Sequence, residues 1–231
     1  MDENTIAIYV HELRNLCVHT QASFDMFNNA VINQVPAGIL FSSQMILVPV
    51  SQIAAILWPT RARSRSRGEH LRKLLQLPEK HVFSDRRISE LWERGDEKTD
   101  EWIQSTKGQK VIFDFVGNPG QLGADVRASG IYRAYDPATK VFYYRGTGYN
   151  FQALAQALMD IAPRVNALYR HMFPEQAKAE DEARQRAAAA AQKRAEDANA
   201  AAAAANTAAA EMAAPAASTA ADAPAETKAA T

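Results

Sequence analysis

The run from Ala37 to Trp58 carries no charged side chain. Its length would let one helix cross a bilayer, and Arg61, Arg63, Arg65 and Arg67 follow it as a positive flank would. Ser42, Ser43, Gln44, Ser51 and Gln52 interrupt the apolar surface, however, and Pro49 sits inside it. The reading is a buried helix at the centre of a bundle, kinked or broken at the proline, with no membrane association.

The flanking segments supply partners for such a helix. Ile6, Val10, Leu13, Leu16 or Cys17, Phe24, Phe27 and Val31 recur at steps of three and four, which predicts one long helix over 4–33 that ends before Pro36. Besides the central helix at 38–57, shorter ones are expected at 69–76, stopped by Leu77-Pro78, and at 84–105, with Ser84 as N-cap and Leu91, Trp92 and Trp102 among many charges. The period then changes. Stretches 110–116, 129–135 and 140–145 are rich in β-branched and aromatic residues, and Asp136-Pro137-Ala138-Thr139 reads as a turn. A last helix over 151–173 begins after the cap Asn150. The fold class is therefore α+β: mainly a helical bundle, with a small antiparallel β-sheet inserted before the last helix and an alanine-rich C-terminal tail.

Composition separates the tail from the body. The chain has 231 residues, with 26 basic and 26 acidic side chains. Residues 174–231 hold 29 alanines, 6 basic and 9 acidic groups, so residues 1–173 hold 20 basic and 17 acidic ones. Two segments follow: a folded domain over 1–173 and a low-complexity tail over 174–231. Within the tail, 175–205 can form a solvated helix, whereas 206–231 lacks the apolar mass to order itself. Met1 is followed by Asp2 and Glu3 rather than a basic and then apolar run, and Cys17 is the single cysteine. A cytoplasmic location is expected on both grounds.

Few residues point to chemistry. No phosphate loop, zinc-protease pair or calcium loop is present, and the histidines at 11, 19, 70, 81 and 171 are dispersed, so neither a metal nor a cofactor is expected. Arg14, Asn15 and His19 are the candidate catalytic group. Asn15 and His19 are one helical turn apart, and Arg14 is long enough to reach toward them. Histidine could exchange protons with a ribose hydroxyl or leaving oxygen, while arginine offset the phosphate charge. The alternative is the polar shoulder of a core helix. Arg61, Arg63, Arg65 and Arg67, with no acid between them, could contact successive phosphates of a nucleic acid or form a solvated loop. Tyr132, Tyr135, Phe142, Tyr143 and Tyr144 could stack bases or pack beneath the last helix.

The Arg14, Asn15, His19 spacing resembles the RNase motif of HEPN (higher eukaryotes and prokaryotes nucleotide-binding) helical domains. Further landmarks over most of residues 1–173 resemble a group of uncharacterised bacterial HEPN-like proteins. They are Trp58-Pro59, the stretch Arg67 to Leu75, the acidic stretch Asp96 to Trp102, Tyr132 to Pro137, and Tyr144-Arg145-Gly146. At the place where that group carries its arginine, asparagine and histidine, this chain has Ser89, Glu90 and Arg94. The resemblance implies an RNA- or nucleotide-binding module of bacterial stress or phage-defence type, acting as a homodimer, with a degenerate motif. A metal-independent RNase using Arg14, Asn15 and His19, and a non-enzymatic protein-interaction module, are the competing readings.

Overall fold

A computed structural model of the chain describes residues 1–212. Helix α1 spans Glu3–Ile32, and Asp2 caps it by accepting the Thr5 N–H at 2.9 Å. Its buried stripe runs through Val10, Leu13, Cys17, Thr20, Phe24 and Phe27. Gln34, in the left-handed region at φ 54°, turns the chain into α2, Pro36–Leu57, whose first residue is a proline that needs no N–H there. A Cβ on Gly38 would lie 3.1 Å from the Ala30 Cβ, so the two helices pass close together at this end.

Helix α2 is the centre of the bundle. It packs against α1, against α3 (Arg65–Leu74), against the short α4 (Arg86–Ser89) and against the sheet. Pro49 does not break it, and two of its serines are absorbed locally, Ser42 donating to the Gly38 carbonyl and Ser51 to that of Val48, whereas the buried Ser43 hydroxyl has no hydrogen-bond partner among the described residues. It is long and apolar enough to cross a membrane, and 61% of its apolar window is buried within the protein.

The helix expected over 84–105 is two helices. Asp85, not Ser84, caps α4, which ends at Ser89; Arg94 then takes a left-handed conformation at φ 49°, and α5 runs Gly95–Ser105. Packing explains the break. Ile88 and Leu91 are buried and the Trp92 N–H reaches the Leu47 carbonyl of α2, whereas Trp102 donates to the Ser129 carbonyl and packs on Tyr132. One straight helix would carry these anchors about 16 Å apart along a single axis, so it could not serve both surfaces.

Four strands follow: β1 (Ile112–Val116), β2 (Ile131–Asp136), β3 (Val141–Tyr144) and β4 (Thr147–Asn150), in that order across one sheet. The antiparallel sheet expected from the sequence is present in β2, β3 and β4, but β1 pairs parallel with β2, Ile112 opposite Ile131. Residues 117–130 form the crossover that parallel pairing needs. Gly148 lies in strand β4, and the turn before it is Arg145-Gly146, both at positive φ, as a two-residue hairpin of the I′ kind demands. Asn150 caps α6, Phe151–Met172. Phe27 meets Tyr135 and Phe151 edge-on at 5.0 and 5.3 Å, closing the core between α1, the sheet and α6.

Met1–Pro174 forms one compact unit, and a second begins at Glu175. Helix α7 covers Pro174–Met212, and its side chains from 182 to 206 are exposed. It continues through 206–212, where the sequence predicts no order; the rest of that expectation, for 213–231, lies outside the described residues.

Candidate polyanion-binding site

The α1 trio does not assemble. Arg14 turns toward α6, its guanidinium carbon 4.3 Å above the Tyr169 ring. The Asn15 amide lies 3.2 Å from His11 Nδ1, one turn back along the helix, and His11 in turn packs on Tyr169 and Phe173. His19 is exposed. Arg14 and His19 leave the helix about 140° apart, too divergent to hold one phosphate between them. At the second motif position, Ser89 is buried and donates to the Arg86 carbonyl, Glu90 pairs with Arg86, and Arg94 pairs with Glu97 at 3.2 Å. These residues serve the turn between α4 and α5.

The arginine cluster is divided by the start of α3. Arg67 points inward: it donates to the Ala55 carbonyl at 3.1 Å and lies over the Tyr9 ring at 5.1 Å. Arg61 faces Glu93 at 3.8 Å, while Arg63 and Arg65 are exposed. The four therefore do not form one continuous strip, because the helical turn sends alternate side chains in different directions.

Three cavities adjoin along one side of the domain. The first, about 430 Å³, lies between α4, α5 and the β3–β4 hairpin, and its cations are Arg86, Arg87, Lys98 and Arg145 against Glu90 and Glu101. Trp102, Tyr144 and Tyr149 form its aromatic walls. The second, about 480 Å³, shares Arg86, Glu90, Lys98 and Glu101 with the first, and balances four basic residues against four glutamates. The third, about 300 Å³, shares Thr60, Arg61 and Glu93 with the second, and adds Arg63 and Arg67. Together they make a trough that is basic at both ends and balanced in the middle.

Of the candidates visible in the sequence, Arg61, Arg63 and Arg67 line the third cavity and Tyr144 lines the first. Arg145 comes from the hairpin turn, where it donates to the Gly95 carbonyl at 3.1 Å and to the Tyr144 hydroxyl at 2.9 Å. Arg87 and Lys98 come from separate helices. Nothing in the linear order announces that these three meet; the Arg145-Gly146 turn is the one local sign that Arg145 would stand at a hairpin tip.

Electrostatics suit anion binding better than proton transfer. Burial raises the Tyr144 hydroxyl above its ordinary value and pushes Tyr149 up to about 12, so both keep their protons at neutral pH. The hydrogen bond to Arg87 holds Asp85 below the usual carboxylate range, and the same contact raises Arg87. No histidine lines any of the three cavities. Of the strand aromatics, Tyr135, Phe142 and Tyr144 are buried, and Tyr132 packs against Trp102 and Tyr144 at 5.2 and 5.7 Å. Among the described residues no group of three His, Cys, Asp or Glu side chains converges as a metal site would. Comparison with family models, with characterised proteins and with solved structures finds no match to the chain.

Proposed function

We propose that the domain is a HEPN-like helical module that binds RNA or nucleotide without cutting it. The observation that carries this reading is the first cavity, lined by Arg86, Arg87, Lys98, Arg145 and Trp102 against Glu90 and Glu101, with Arg87 also held by Asp85 outside the lining. Guanidinium and ammonium groups attract phosphate, and an indole gives a base a face to stack on. Neither the trough, whose lining holds no histidine among the described residues, nor the divergent pair Arg14 and His19 supplies an acid–base pair for cleaving a phosphodiester.

The test is fluorescence anisotropy with a short single-stranded RNA and with a nucleoside triphosphate, at two salt concentrations, alongside gel analysis of the RNA in EDTA. Binding that weakens with salt, with the RNA left intact, is the expected result. No binding at low salt would favour the protein-interaction reading instead, and cleavage would restore the nuclease one.

A further inference from the structure

Resting on the trough as a nucleotide- or RNA-binding surface, we propose that its third cavity is a pocket for a terminal phosphate group, a phosphomonoester, of the bound strand or nucleotide. Arg61, Arg63 and Arg67 line it together with the hydroxyl-bearing Thr60 and Ser64. Glu93 is its single acid, half-buried and 3.8 Å from the exposed Arg61. The lining thus carries an excess of two positive charges in about 300 Å³. An internal phosphodiester brings one negative charge and two free oxygens. A terminal phosphate brings nearly two charges at neutral pH and three oxygens, which matches this excess and offers each guanidinium an acceptor.

Two further features bear on the pocket. Arg67 is fixed in place, its terminal nitrogens held by the Ala55 carbonyl and the Tyr9 hydroxyl and its Nε buried, so it supplies a positioned charge to the lining rather than a free donor. Ser64, the N-cap of the ten-residue helix α3, makes no side-chain capping bond; the Ala62 carbonyl takes the Arg65 N–H, and the Ser64 side chain accepts from none of the N–H groups that follow. Position in the trough also favours a strand end. The third cavity shares lining only with the middle one, where four basic and four acidic residues cancel, so attraction for phosphate is concentrated at the trough's two extremities.

The experiment uses the full chain and one RNA sequence in three forms, carrying a 5′-phosphate, a 3′-phosphate or hydroxyls at both ends, with anisotropy as the readout. One phosphorylated form is expected to bind about tenfold more tightly than the hydroxyl-ended form. In Arg63→Ala that difference collapses, whatever the common affinity becomes. Arg67→Ala is the weaker variant because Arg67 also anchors α3 to α2, whereas among the described residues no acid pairs with Arg63. Equal affinity for all three forms in the unmodified protein overturns the proposal, as does a preference that survives Arg63→Ala. Should none of the RNAs bind, the reading of the trough fails by itself. Calorimetry with inorganic phosphate then decides the pocket: heat that Arg63→Ala abolishes retains it, and no heat removes it.

Discussion

Trp58 and His81 lie face to face, their ring centroids 5.0 Å apart and their planes within 4° of parallel. The Trp58 N–H donates to the Glu79 carbonyl, and His81 Nδ1 accepts the Phe83 N–H at 3.1 Å, so the stack pins the loop after α3 against the end of α2. His81 Nε2 stands 3.7 Å from Asp160, which Arg164 also holds.

This environment makes the loop sensitive to acid. Burial lowers the His81 value; Asp160 pulls it up and Arg164 pushes it down. The folded protein therefore binds this proton less readily than the unfolded chain, whose histidine titrates near its ordinary value of about 6.5. Stability from this group is complete above that pH and declines as the pH falls from there through the folded value. Thermal denaturation across the range should show the decline in the unmodified protein, and His81→Phe, which cannot titrate, should remove that part of it. Parallel pH profiles for the two proteins would sink the assignment.

Gly68 occupies a place where no side chain fits. A Cβ there would collide with the Pro59 ring and lie 2.8 Å from the Leu57 carbonyl, both parts of a rigid corner. Gly68→Ala should cost about 1–3 kcal/mol by overpacking, read as a lower urea midpoint at unchanged slope.

Lys98 lines both the first and the second cavity and enters the trough from α5. If phosphates run there, Lys98→Glu should weaken RNA binding most at low salt and reduce the slope of log affinity against log salt by about 1. Unchanged slope and affinity would place the nucleic acid elsewhere.

His19 is exposed on α1 and takes no part in the trough. His19→Ala should change stability by no more than about 0.5 kcal/mol and leave RNA affinity unaltered. A loss of RNA processing in this variant would instead revive the catalytic role that Arg14, Asn15 and His19 suggest.

Legibility differed between elements for physical reasons. The stripe Val10, Leu13, Cys17, Phe24 and Phe27 is a local pattern, and helix α1 follows from it whatever it packs on. Pro36 marks the end of α1 by its backbone chemistry, and Asn150 marks the start of α6 because its side-chain oxygen accepts the Ala153 N–H. The break at Arg94 was not legible, because it depends on Leu91 and Trp92 being wanted by α2 while Trp102 is wanted by the sheet. The parallel pairing of β1 was equally hidden, since strand alternation carries no direction. As for the site, Arg61, Arg63 and Arg67 are visible as a run, but the inward turn of Arg67 depends on where Tyr9 and the Ala55 carbonyl stand.

By itself, then, the sequence determined the bounds of α1, α2 and α6 to within two residues, that α2 needs covering on several sides, and that residues 174–231 differ in kind from the rest. Tertiary structure alone decided which charges share a surface. Arg145 at a hairpin tip, Arg87 on α4, Lys98 on α5 and Arg61 before α3 become neighbours only because the chain reverses at Arg94 and Gly146. Hydrophobic periodicity acts over a few residues, whereas a charged trough is assembled from segments far apart in the chain. Its basic ends and neutral middle are properties of the packing.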